Sequence, residues 1–156
     1  MTLPADSDSF DLERFLPYLL NQAAEATSHS FHATYRQDYG MTRTQWRVMA
    51  NLGKFGAMTA RDICAISHIE KTKVSRAVAA LEVEGWLSRA TSQQDRRAEI
   101  LSLTDAGRDV FRRLGQRAIA YDADLRSQLG AEAATRLETV LRSLIAQAGQ
   151  GETAED

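Results

Sequence analysis

The chain has 156 residues, 44% of them hydrophobic and 26% charged, with two prolines, nine glycines and a single cysteine. This is the composition of an ordinary globular protein. No apolar run approaches the roughly 18 residues that span a bilayer, and one thiol excludes an intrachain disulfide. The acidic, polar start MTLPADSDSF is no secretory signal, so the cytoplasm is the expected setting and no membrane partner is expected.

The net charge of −2 conceals a division along the chain. Thr42 to Leu103 carries ten Lys/Arg against six Asp/Glu, and the remainder carries nine against fifteen. Cations gathered in the middle of an acidic chain permit a polyanionic partner at one face and discourage wrapping elsewhere.

Residues 1 to about 11 read as a loose arm. Leu16, Leu19, Leu20, Ala23, Thr27, Ser30, Phe31, Thr34 and Tyr35 then recur on one side of a helix, with Pro17 suited to its first turn. From Leu16 to Arg36 it measures roughly 30 Å at about 1.5 Å per residue, and Gly40 closes it. Thr42-Arg43-Thr44-Gln45 is a capping box. The helix behind it turns Trp46, Met49, Ala50 and Leu52 inward and ends near Gly53 to Gly56. Thr59-Ala60-Arg61-Asp62 caps a third helix with Ala60, Ile63 and Ile66 on its inner face. Ser67-His68-Ile69 is the turn before a fourth.

In that fourth helix Val74, Val78 and Leu81 form an apolar stripe. Lys71, Thr72, Lys73, Ser75, Arg76 and Ala79 lie off it and are short or cationic. Such a face suits a DNA major groove, because long cations reach phosphates or guanine edges and small residues let the backbone approach. Gly85 ends the helix as a left-handed cap. Trp86-Leu87-Ser88 and Ile100 to Leu103 read as strands around the polar turn Thr91 to Asp95, with Arg96 and Arg97 at the tip. Two arginines on a hairpin tip reach a minor groove or flanking phosphates.

Thr104 caps a fifth helix in which Phe111, Leu114, Ala118, Tyr121, Leu125 and Gln128 recur at heptad spacing until Gly130. A last helix carries Leu137, Val140, Leu141, Leu144, Ile145 and Ala148 on one stripe. The tail from Gly149 reads as disordered. Three long amphipathic helices flank a small core that does not need them all, and a second copy of the chain is the economical way to bury their stripes.

The run KVSRAVAALEVEGWLSRATSQQDRRAEILSLTDAGRDVF resembles the winged helix-turn-helix core of the MarR family of bacterial regulators. The matching features are V-S-R in the recognition helix, L-E-x-x-G before the wing, D-R-R within it and L-T-x-x-G after it. The resemblance covers roughly Leu12 to Ala148. It implies a mainly α fold with a small β-wing, a single domain over 1–156. Residues 42–103 would form the winged helix-turn-helix DNA-binding core, and 12–40 and 104–148 would supply long N- and C-terminal dimerisation helices. It further implies a homodimer that binds double-stranded DNA at a palindromic operator and is released by a small ligand of aromatic or phenolic kind. Arg61, Lys71, Thr72, Lys73, Ser75, Arg76, Arg96 and Arg97 would face DNA, with Asp95 orienting one wing guanidinium. His32, Tyr35, Tyr39, Trp46 and Arg47 are the candidate ligand pocket, since aromatics beside an arginine suit an aromatic carboxylate.

Other readings are weaker. There is no Gly-rich phosphate loop, no G-x-S-x-G and no H-E-x-x-H, so an enzyme is not expected, nor is a cofactor. Glu25, His29 and His32 have ligand chemistry at helical spacing, yet read as a solvated polar face, and no metal is expected. Cys64 reads as a half-buried structural thiol. Two alternatives keep the fold and change the role: a dimeric winged-helix protein-interaction module without DNA binding, and a redox- or metal-gated regulator.

Overall fold

The hydrophobic pattern resolves into six helices and three short strands in the computed structural model, which describes residues 9–151, with side chains as far as Gly149. A 3-10 turn (Leu12–Arg14) precedes α1 (Leu16–Tyr39) and α2 (Arg43–Phe55). Then come β1 (Met58–Thr59), α3 (Ala60–Ser67), α4 (Lys71–Val83), β2 (Leu87–Thr91), β3 (Glu99–Leu103), α5 (Asp105–Leu129) and α6 (Ala131–Gly151). The mainly helical class with a small antiparallel sheet is therefore as the sequence implies. The arm expected over 1–11 gains a turn capped by the Asp11 carboxylate, and the expected tail begins inside α6. Residues 1–8 and 152–156, where those expectations also fall, lie outside the described residues.

Helix boundaries follow local chemistry. Thr42 accepts from the Gln45 N–H and the Gln45 side chain returns to the Thr42 N–H, and Thr59 and Asp62 repeat the arrangement. Gly40 takes φ 63° and ends α1. α4 ends in a Schellman turn: Trp86 N–H donates to Leu81 O and Gly85 N–H to Glu82 O, with Gly85 at φ 77°.

Packing divides the chain into two units, Met1–Leu114 and Gly115–Asp156. In the first, Val48, Met49 and Leu52 of α2, Ile63 of α3, and Val74, Ala77, Val78 and Leu81 of α4 are buried together with Phe31, Tyr35 and Met41. The sheet order is β1-β3-β2, all antiparallel, with Met58 opposite Leu101 and Leu87 opposite Leu103. β1 was not legible beforehand, because two residues carry no periodicity. Ile66 is exposed rather than inward: Ser67 takes the buried position, receiving Asn51 Nδ2 on its hydroxyl at 3.0 Å and Arg47 on its carbonyl at 2.6 Å. Leu114, assigned to a heptad seam, is fully buried in the first unit with Val110. In the second unit α5 and α6 are tied by Arg126, which bonds Asp122 and Glu138. A groove of about 370 Å³ lined by Leu125, Leu129, Leu137, Leu141 and Ile145 runs between them.

The wing is clamped at its base. Thr104 donates its hydroxyl to Gly85 O at 2.6 Å, its N–H donates to Trp86 O, and its hydroxyl oxygen caps the Gly107 N–H of α5. Gly107 lies so near this junction that a Cβ would collide with the Trp86 carbonyl. Alanine normally stabilises a helix interior over glycine by about 1 kcal/mol. Gly107→Ala should instead cost about 2–3 kcal/mol by overpacking, read as a lowered urea midpoint. Gly115→Ala, eight residues on and with no described atom within 4 Å of a Cβ, should show the ordinary gain. Equal responses would remove the junction from the stability of the fold.

Candidate nucleic-acid interface

α4 buries its stripe and offers the rest. Lys71, Thr72, Lys73, Ser75, Arg76 and Ala79 are exposed on the faces that Val74, Ala77, Val78 and Leu81 leave free. A turn of three residues, opening on His68 at φ 53°, joins α3 to α4. This is helix-turn-helix geometry.

Beside α4 lies a cleft of about 640 Å³ between the start of α3, one flank of α4 and the wing. Arg61, Asp62, Ser75, Arg89, Asp95, Arg96, Arg97 and Glu99 are among the residues lining it. Arg61 from the third helix thus shares a surface with Arg96 and Arg97 from the wing, and Ser75 joins them from the recognition helix. The carboxylates here are occupied internally. Asp62 accepts the Thr59 main-chain N–H, and the bonds from Thr59 hold its carboxyl below the usual range. Asp95 Oδ1 accepts the Arg97 main-chain N–H at 3.0 Å, while Ser92 Oγ takes the N–H groups of Gln94 and Asp95. Asp95 therefore shapes the wing backbone; the expected bond to a guanidinium is not what its carboxylate makes, because the turn presents an amide first. Glu99 and Glu82 both bind Arg89, and the Glu99 hydrogen bond chiefly raises the Arg89 pKa further. This fork was not legible in the sequence.

The candidate ligand residues separate into two groups. Tyr35 stacks on Trp46 with ring centroids 6.0 Å apart, His32 meets Tyr35 edge-on at 5.1 Å, and Phe31 and Phe111 complete the aromatic cluster around Trp46. Tyr39 instead packs edge-on against Trp86 at the wing junction. Arg47 is committed to the Ser67 carbonyl, with burial and the nearby Arg43 charge lowering its pKa. The cation that belongs with the cluster is Arg43, which in the sequence stands out only as part of a cap. It lies three residues before Trp46, so helical spacing was the available signal. Arg43 bonds Glu25 at 2.6 Å and that bond holds the Glu25 carboxyl below its usual range. Its Nε, like the Tyr35 hydroxyl, is buried without a hydrogen-bond partner. Burial raises the Tyr35 pKa, with the Arg43 charge opposing it. Glu25 stays on the exposed face expected for it and His29, and adds there an ion pair with Arg43. Among the described residues no group of three His, Cys, Asp or Glu side chains is placed to hold a metal ion. Cys64 is half-buried. No described helix is long and apolar enough to cross a membrane.

Comparison with known proteins agrees with this geometry. The family model for the MarR family matches residues 39–98, from the end of α1 through the wing tip. YwoH of Bacillus subtilis (strain 168), an uncharacterized HTH-type transcriptional regulator, is 24% identical over 114 residues, which span 73% of this chain and 82% of YwoH. A mutant MarR from E. coli, solved complexed with operator DNA, shares the fold at 19% identity and a TM-score of 0.75, covering 88% of this chain and 99% of its own. The MarR family transcriptional regulator SPO1453 from Silicibacter pomeroyi DSS-3 is 30% identical, with a TM-score of 0.78 over 90% of this chain and 99% of that one. Identity at that level across a whole relative, on a fold whose recognition helix and wing carry the basic side chains, makes this chain a member of the MarR family of transcriptional regulators.

Proposed function

We propose that the protein is a cytoplasmic homodimeric repressor that binds a palindromic operator and is released by a small aromatic carboxylate. The observation that carries DNA binding is the division of α4, whose stripe is buried while Lys71, Thr72, Lys73, Ser75 and Arg76 are exposed beside Arg61, Arg96 and Arg97. α4 lies in the major groove, and the wing arginines engage the minor groove or the flanking backbone. A protein-docking module would expose apolar residues on that face; this one is basic.

The dimer reading rests on apolar side chains left exposed in each unit. Leu12, Leu16, Leu19 and Leu20 are exposed at the start of the chain, and Leu137, Val140, Leu144 and Ile145 along α6. Apolar stripes of that extent mark an interface. Residues 12–40 and 104–148 supply it, and a two-fold pair sets two recognition helices at half-sites about 34 Å apart.

The effector reading rests on the Tyr35 hydroxyl and Arg43 Nε, two buried donors without partners beside stacked aromatics. A carboxylate accepts from both, and an aromatic ring extends the stack. Arg43 and Arg47 are one turn apart on α2, and Arg47 holds the Ser67 carbonyl just before the recognition helix. A ligand that shifts Arg43 therefore acts on the helix that also fixes that turn.

Titration into duplexes from upstream of the protein's own gene, beside a scrambled duplex and at several salt concentrations, tests the first reading. Specific binding should fall steeply with salt, and equal weak binding to both would overturn it. Arg97→Ala should weaken the specific complex by about 1–3 kcal/mol while the dimer persists in sedimentation. Leu16→Asp with Ile145→Asp, both on exposed positions, should leave a folded monomer; a persistent dimer would move the interface elsewhere. Tyr35→Phe removes an unpartnered buried hydroxyl, so stability should hold or rise. The same change should lower the sensitivity of the DNA complex to a panel of benzoates and phenylacetates, and unaltered sensitivity in a responsive wild type would exclude the pocket.

A further inference from the structure

The inner face of the wing begins as core and ends as an ion pair. Side chains on one face of β2 alternate as Leu87, Arg89 and Thr91. The strand register sets them opposite Leu103, Leu101 and Glu99. Leu87, Leu101 and Leu103 are buried, so Arg89 stands on the same face where a further apolar residue of β2 is expected. It is there that the apolar support under the hairpin runs out. The Arg89 guanidinium bridges outward in two directions: Nε to Glu82 Oε2 in the last turn of α4, and one terminal nitrogen to Glu99 Oε2 at the start of β3, both at 3.1 Å. Glu99 lies diagonally two residues along from Arg89, toward the wing tip.

We propose that Arg89 is a positioning residue that sets the angle of the wing to the recognition helix, so that Arg96 and Arg97 reach their groove in register with α4. The proposal rests on the DNA-binding reading above and deepens it. One planar cation ties the last turn of α4 to both strands of the wing, which their own ladder already pairs, and its fork fixes direction as well as distance. The two carboxylates matter as much as the cation. Removing them adds positive character to a surface meant for a polyanion, which by charge alone tightens DNA binding. If the fork positions the wing, removing them weakens specific binding. The two effects have opposite sign.

The experiment uses the full chain and a duplex enriched by the wild-type protein from a random-sequence pool, with a scrambled duplex of equal composition. Glu82→Gln with Glu99→Gln keeps Arg89 and the fold. It should lose about five- to tenfold affinity for the enriched duplex and gain for the scrambled one, and the amides of 88–102 should exchange faster in the free protein. Arg89→Met should lose the same discrimination with an unchanged salt slope, and Arg89→Lys should recover it in part. Unchanged or tighter binding of the double variant to the enriched duplex would overturn the proposal. So would a salt slope lowered by about one per subunit in Arg89→Met, which would make Arg89 a phosphate contact. If the wild type enriches no duplex, the DNA-binding reading itself fails and this inference with it. If the wild type binds its enriched duplex specifically and the double variant binds it equally well or better, the inference alone is removed.

Discussion

Three residues, Gly85, Trp86 and Thr104, hold together everything that faces outward from the basic side of the protein. The recognition helix ends on Gly85, whose left-handed conformation lets the chain turn away while the last carbonyls of α4 are satisfied. Thr104 closes the wing against the same point, with its hydroxyl on the Gly85 carbonyl and its N–H on that of Trp86. It also caps α5, whose Gly107 admits no side chain there. Recognition helix, both wing strands and the start of α5 are thereby fixed by one backbone junction. The indole of Trp86 carries the arrangement further by packing on Tyr39 at the end of α1.

Backbone signals made much of this readable from the sequence. Capping boxes at Thr42 and Thr59, the glycine stops at 40, 85 and 130, and the stripe of Val74, Val78 and Leu81 all depend on residues within one or two turns of each other. What escaped depends on partners far along the chain. β1 exists only because β3 pairs with it. Leu114 fits a heptad pattern and is still claimed by the first unit's core, because period alone does not say which neighbour a stripe meets. Tyr39 and Arg47 have the chemistry of a ligand pocket but point to Trp86 and Ser67; Arg43 has that chemistry and stays beside the stacked rings. Arg89 binds residues seven before and ten after it, through a register no local pattern reveals.

The acidic side chains of the cleft show how a chain of net charge −2 can present a cationic face. Asp62 caps a helix, Asp95 caps a turn and Glu99 binds Arg89, so each carboxylate is turned toward an internal donor. A carboxylate that accepts a main-chain N–H is stabilised as an anion and contributes structure while its charge is partly offset by the local dipole. Arg96 and Arg97 stand on the turn that Asp95 organises. The same acids that lower the net charge thus shape the loops that carry the cations. Charge counted by composition and charge presented at a surface are different quantities here, and the hydrogen-bond partners of the acids are what separate them.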